Sequence, residues 1–375
     1  MTHAYLPPGR VMRFGDCDDA EIPLSFFPTV AQSSGDGVLQ WMYLNYPAGD
    51  SPRRDLVGEL LAFDGRVEPV NPEGVLPRGR AFEAHGKLVS SRSNWSPRPE
   101  QSVSIAYGKA GREGHGANDV GQFCLDGYGR ELIVTLGMPA GGYPADYFGS
   151  NREKYYNAST WGQNLFTFDR REQVKRRSGA PVVGAFTYTA FDDGKGAAWQ
   201  IDLTPVYEGA RKVRRTVVHL LPDVVVVLDE ASLESPADIS MRWHTADRAE
   251  PTPQGQFRVA SGEARLAARI VPLHGAKPDF RRGQHAYEEP FHLNRTGAPL
   301  NQPRESFVET AIHADRLSML TLFHVQRAEA PEATWQRAGE QWQIETPEGT
   351  VTVTLTEGEL RVTNRKTGQE WKVPR

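Results

Sequence analysis

From about residue 66 onward the chain is written in short runs of β-branched and aromatic residues, cut at close intervals by Gly, Pro, Asp and Asn. Such punctuation reads as strand, turn, strand. Gln101-Ser-Val-Ser-Ile-Ala-Tyr107, Pro181-Val-Val-Gly-Ala-Phe-Thr-Tyr188 and Arg211-Lys-Val-Arg-Arg-Thr-Val-Val-His219 are representative runs, and together they define a large antiparallel β region. Asp223-Val-Val-Val-Val-Leu-Asp229 lacks alternation and suits a strand covered on both faces. Val351–Thr356, the turn pair Glu357-Gly358 and Leu360–Thr363 read as a half-exposed hairpin. Sheets stacked in layers accommodate all of these, so the expected fold class is mainly β, a large antiparallel β-sandwich preceded by a short helical segment.

The helical segment occupies the first sixty or so residues. Asp36-Gly37 precedes Val38, Leu39, Trp41, Met42 and Tyr43 at helix-like spacing. Ser51-Pro52 reads as a cap with proline at the first helical position, leading into Leu56, Val57, Leu60 and Leu61. Two or three short helices do not close a core alone, and must pack on the rest of the chain or on a further helical domain. The expected divisions are 1–65 helical, 66–330 sandwich and 331–375 a small C-terminal sheet with Trp335, Trp342 and Trp371. Pro272 to Pro303 has little periodicity and reads as a long loop.

Composition narrows the partners. With 375 residues, 39% hydrophobic content and a formal charge of −4, the chain buries a large core and shows no basic run that would trace a phosphate backbone. Nucleic acid is therefore not an expected partner. No stretch approaches the roughly eighteen apolar residues of a membrane span, and the first ten residues lack an export signal. Cys17 and Cys124 are the only cysteines, expected as buried thiols with neither disulfide nor zinc spacing. Asp16, Asp18 and Asp19 lack the spacing of a calcium loop, and His285, His292 and His313 lack the close spacing of metal ligands. Arg214 and Arg215 alternate on a strand, so one is expected to face solvent.

The informative stretch for function is His115-Gly-Ala-Asn-Asp-Val-Gly-Gln-Phe123, which continues through Leu125-Asp126-Gly127-Tyr128-Gly129 to Gly137. It resembles the His-Gly-His-x-Asp-x-x-Ser-Phe signature of heparinase II/III-like polysaccharide lyases, and the resemblance covers roughly residues 10 to 230. It implies a β-sandwich leaning on an α/α toroid, of which residues 10 to 62 resemble the last helices. It also implies β-elimination on an acidic polysaccharide or oligosaccharide in the periplasm or outside the cell. That reaction needs the uronate carboxylate neutralised, a base for the C5 proton and an acid for the leaving oxygen.

Carried over residue by residue, the resemblance makes His115 the substrate-facing histidine, for carboxylate neutralisation or proton transfer. Asp119 matches the aspartate that helps fix the loop. Tyr147 is a candidate acid or sugar-binding group, and Asn118, Arg152, Tyr155 and Trp161 are candidate substrate contacts. Asx side chains at strand starts also commonly bond neighbouring backbone, which is the structural alternative for Asn118 and Asp119. The three zinc ligands of the family fall on Ala117, Thr135 and Gln163, with Asn164 retained beside the last. None of the three is a usual zinc donor, so no metal or other cofactor is expected. Hydrogen bonds among Asn118, Thr135 and Gln163 are expected to fill the space. No stretch before His115 matches the toroid's catalytic tyrosine and Asn/His pair, so the site is expected to be incomplete without an upstream toroid. The competing reading is a non-catalytic carbohydrate-binding or packing module. A glycoside hydrolase would need paired carboxylates, and no motif nominates a pair.

Overall fold

A computed structural model of the chain describes residues 2–7, 9–17, 26–46, 56–84, 86–112, 116–139, 142–273, 277–285, 292–294, 296–299 and 306–375. The N-terminal ribbon of β1 (Tyr5–Leu6) and β2 (Arg10–Val11) precedes three helices, α1 (Phe26–Ser34), α2 (Gly37–Asn45) and α3 (Leu56–Ala62). The helix expected after Asp36-Gly37 is α2, and Asp36 caps it, its carboxylate accepting the N–H groups of Val38 at 2.9 Å and Leu39 at 3.2 Å. Ser51-Pro52 lies outside the described residues. Tyr5, Phe27, Ala31, Leu39 and Met42 close a small helical core, while Val57, Leu60 and Leu61 of α3 are 68–79% exposed. The outer face of α3 is thus apolar and open.

The first sheet has five strands in sequence order, β3 (Gly79–Phe82), β4 (Leu88–Arg92), β5 (Ser104–Lys109), β6 (Phe123–Gly127) and β7 (Arg130–Ile133). After β8 (Phe166–Phe168) and a two-residue hairpin of β9 (Arg176–Arg177) and β10 (Ala180–Pro181), a nine-stranded sheet is built from β8, β11 (Ala185–Asp192), β12 (Gly196–Asp202), β13 (Ala210–Leu220), β14 (Val224–His244), β15 (Gln256–Ser261), β16 (Ala264–Pro272), β17 (Asp279–Gln284) and β18 (Ser306–Arg327). Its main order is β11-β12-β13-β14-β18-β16-β15, with β8 beside β14 and β17 beside β18. A third sheet, β19 (Gln336–Ala338), β20 (Gln341–Thr346), β21 (Gly349–Leu355), β22 (Glu359–Asn364) and β23 (Glu370–Pro374), ends the chain. Every ladder among the described residues is antiparallel, and the fold class is mainly β.

The three sheets lie in layers, with the nine-stranded sheet in the middle. On one face Val225, Val227, Met241 and Trp243 meet Val89, Leu125 and Ile133 of the first sheet. On the other, Val224, Val226 and Leu228 meet Ile344, Val353 and Leu360 of the third. The unbroken valine run is therefore a strand covered on both sides, because successive residues serve two different cores.

Three expectations are corrected. Within Pro272 to Pro303, Asp279–Gln284 is a strand, paired with β18 in register Arg281↔Glu309 and Gly283↔Phe307. Its exposed, charged side chains hid it. Cys17 is exposed, while Cys124 is buried beneath Phe14 and Tyr107. Neither arginine of the 214–215 pair simply faces water: Arg215 is buried on Asp229 at 2.7 Å, and Arg214 is mostly covered on Glu230.

Candidate functional site

Strand β5 ends at Lys109 and β6 begins at Phe123, and the connection between them carries the motif. His115 lies outside the described residues, together with the two before it. Its flanks are held by buried charge. Lys109 Nζ sits 3.0 Å from Asp119 Oδ1, both side chains at 0% exposure, and the other Asp119 oxygen accepts the Gly15 N–H at 2.9 Å. Gly15 has φ +61°, and a Cβ there would stand 3.3 Å from the Ala117 nitrogen, so glycine lets the N-terminal segment reach the loop. Asp119 thus supports the loop from within.

Arg112 closes the other side. Its Nη1 donates to Asn118 Oδ1 at 2.9 Å and to the Ala117 carbonyl at 3.3 Å, drawing together residues on either side of 113–115. Asn118 Nδ2 in turn donates to Glu172 Oε2 at 2.8 Å, an oxygen that also accepts the Thr160 N–H and hydroxyl. Burial raises the Glu172 carboxyl above the ordinary range even against these donors, which favour its charged form. Asn118, expected as a substrate contact, is fully buried and ties the loop to Arg112 and Glu172.

Zinc, which the family resemblance implies, does not fit the residues present. Ala117 has no donor atom, and Thr135 and Gln163 offer only neutral, fully buried groups. Thr135 Oγ1 donates to Gln163 Oε1 at 3.5 Å, and Gln163 Nε2 donates to the Asn157 carbonyl at 2.8 Å. Asn118, expected in this network, contributes only its backbone N–H, to the Ala158 carbonyl at 2.9 Å. Asn157 takes its place, donating from Nδ2 to the Gly137 carbonyl at 2.7 Å and to Tyr147 Oη at 2.8 Å.

The segment 143–161 is packed, not open. Tyr147 is 0% exposed, with its ring 5.0 Å from Tyr143 and 5.3 Å from Tyr155, and the Arg152 guanidinium lies 4.5 Å from its centroid. Burial raises its phenol well above the ordinary range. Tyr147, expected as an acid or sugar-binding group, is placed by the structure as a buried core aromatic. Tyr155 is buried too and donates to Asp146, and Arg152 pairs with Asp16 at 3.2 Å. Trp161 keeps a half-buried indole at the surface, its Nε1 on the Arg170 carbonyl and the Arg242 guanidinium 4.2 Å from its ring.

A hydrogen-bond chain that the sequence reading missed lies beneath Trp161. Asn164 Nδ2 donates to the carbonyls of Phe123 at 2.8 Å and Val134 at 2.9 Å, which turns its Oδ1 toward His244. That oxygen accepts the His244 backbone N–H at 2.7 Å and lies 3.2 Å from Nδ1. An amide oxygen only accepts, so Nδ1 carries the proton and Nε2 accepts the Tyr156 O–H at 2.8 Å. Arg242 Nη1 donates to Tyr156 Oη at 2.9 Å. Burial, and then the Arg242 charge, hold the imidazole neutral, with a pKa well below the usual value. His285 stacks on Tyr156 at 3.8 Å, and burial lowers it to about 4. The available signal was the period-2 row Ser240, Arg242 and His244 on β14, which puts three polar groups on one face.

Layered antiparallel sheets behind an N-terminal helical segment define a class of β-rich, multilayered protein. The chain belongs to the heparinase II/III-like, C-terminal family, which matches residues 102–369. Among solved structures it is similar to a heparinase III gene product, with TM-score 0.68 and 13% identity over 100% of this chain and 51% of that one. It is also similar to heparan sulfate lyase HepC from Pedobacter heparinus, with TM-score 0.64 and 14% identity over 100% and 51%. Another heparinase III gives TM-score 0.62 and 14% identity over 99% and 51%. The chain therefore spans about half the length of these lyases, and the likeness is one of fold. No curated protein matches the chain by sequence.

Proposed function

We propose that the chain is the β-sheet portion of a polysaccharide lyase that cleaves a uronic-acid-containing polysaccharide by β-elimination outside the cytoplasm. The observation that carries this reading is the anchored motif loop: in a member of this family, buried contacts of Arg112, Asn118 and the Lys109–Asp119 pair frame His115 on both sides. His115 serves the uronate, neutralising its carboxylate or carrying a proton, and Trp161 offers an aromatic edge to a sugar ring. An α/α toroid supplies the remaining acid–base groups, a reading supported by the open apolar face of α3 and by relatives about twice as long. Residues 1–65, 66–330 and 331–375 are the divisions proposed for the chain. Among the described residues no helix is long and apolar enough to cross a membrane.

The test is absorbance from an unsaturated uronate product when the complete protein is incubated with heparan sulfate and other acidic polysaccharides. His115→Ala is expected to lower turnover about 100-fold or more, the usual range for a lost acid–base group, without changing the melting temperature. Equal turnover would remove His115 from the mechanism. The burial of Tyr147 favours the second reading, a carbohydrate-binding module without chemistry, which would bind such polymers and produce no new absorbance.

A further inference from the structure

We infer that the side chains of Thr135, Gln163 and Asn157 form a metal-free cross-link that does the structural work for which the family resemblance would place a zinc ion. A bound metal fastens segments that are remote in sequence, and this network does the same with neutral groups. Thr135 Oγ1 reaches Gln163 Oε1, Gln163 Nε2 reaches the Asn157 carbonyl, and Asn157 Nδ2 reaches both the Gly137 carbonyl and Tyr147 Oη. Residues 135–137, the turns at 157 and 163, and the aromatic core at 147 are thereby joined. The Asn118 N–H on the Ala158 carbonyl brings Ala117, the third substituted position, against the same turn.

Charge bookkeeping agrees with this assignment. Three neutral, fully buried residues occupy the positions, and a divalent cation among them would be uncompensated in a medium that penalises buried charge heavily. Asn157 Oδ1 is the network's acceptor without a hydrogen-bond partner among the described residues, a single neutral oxygen suited to a water molecule and not to zinc. Methyl substitution at 117 keeps the loop compact where an imidazole would need a partner. The inference concerns how this region is held and is independent of whether His115 is catalytic.

The experiment uses the full chain produced in zinc-supplemented medium, with metal content and melting temperature read with and without a chelator. The wild type is expected to carry no stoichiometric zinc and to melt at the same temperature in both conditions. Gln163→Leu, which keeps the volume and removes both hydrogen bonds, is expected to lower the melting temperature by about 3–6 °C. The combined variant Ala117→His, Thr135→Asp, Gln163→His is expected to take up one zinc per chain and to melt higher when zinc is added. Stoichiometric zinc in the wild type, a chelator-sensitive melt, or an unchanged melt for Gln163→Leu would each overturn the assignment. A combined variant that folds without binding zinc would show that the three positions do not converge. Should that variant not fold, the wild-type and Gln163→Leu measurements decide.

Discussion

The contact that best shows what a single residue does in this loop is Lys109–Asp119. Exposed ion pairs contribute about 0–1 kcal/mol, because water screens them and two long side chains lose freedom. This pair is different, since both side chains are at 0% exposure and only 3.0 Å apart. Each charge is tolerable there because of the other, with the Phe14 ring 5.4 Å from the ammonium and the Gly15 N–H on the second carboxylate oxygen. Removing one partner strands the other charge, at about 3–5 kcal/mol, whereas removing both with apolar replacements leaves no orphan. Asp119→Asn is therefore expected to destabilise the protein by roughly 3–5 kcal/mol in chemical denaturation, and Lys109→Met with Asp119→Leu by clearly less than the sum of the single changes. A single-variant loss below about 1 kcal/mol would mean that the pair is solvated in solution.

At the scale of elements, β14 and β18 organise the molecule, pairing from Val224↔His324 to His244↔Phe307. At their far end β17 adds a further rung, and its Gly283 has a steric purpose. A Cβ at that position would stand 2.2 Å from the Phe307 ring, which itself lies 4.0 Å from the Arg242 guanidinium. Gly283→Ala is expected to push Phe307 off its place and to reduce stability by about 1–3 kcal/mol, measurable as a lower denaturation midpoint. A neutral result would show that the ring relocates freely. This corner also marks where the sequence becomes hard to read. The doubly covered valine run and helix α2 were legible because the signal is local: absence of alternation in one case, an apolar helical period after Asp36-Gly37 in the other. β17 was not legible, because Asp279–Gln284 is charged and earns its place only through β18, some thirty residues later. The site behaves likewise. Its motif is contiguous, but the groups that hold it, Gly15 and Glu172, come from distant segments with no periodicity linking them to residue 115. The burial of Tyr147 was not legible for the converse reason, since a Gly- and aromatic-rich segment reads as an open loop until its rings are seen to pack on one another.

Across the whole molecule, layered sheets bury polar groups wherever one layer meets another, and two histidines sit at such junctions. His219 of β13 lies between Ser91 and Ser104 of the first sheet, at 2.9 and 2.8 Å, and burial lowers it to about 3. His244 is held neutral in the same way beside Arg242. Both have folded pKa values below the unfolded value near 6.5, so the unfolded state takes up protons first as pH falls. The stability they contribute is complete above about pH 6.5 and is lost progressively below it, by roughly 2 kcal/mol for each histidine at pH 5. Asp126 acts in the opposite sense: burial raises its carboxyl to about 6 even beside Arg10, so its folded form binds a proton before the unfolded one and offsets part of the loss below pH 6. Two histidines outweigh one carboxyl. The denaturation midpoint is therefore expected to fall between pH 7 and pH 5, and His219→Gln, which cannot titrate, to make that fall clearly shallower. A midpoint that rises toward pH 5, or a slope that His219→Gln leaves unchanged, would show that these imidazoles are not the groups coupling proton uptake to the packing of the layers.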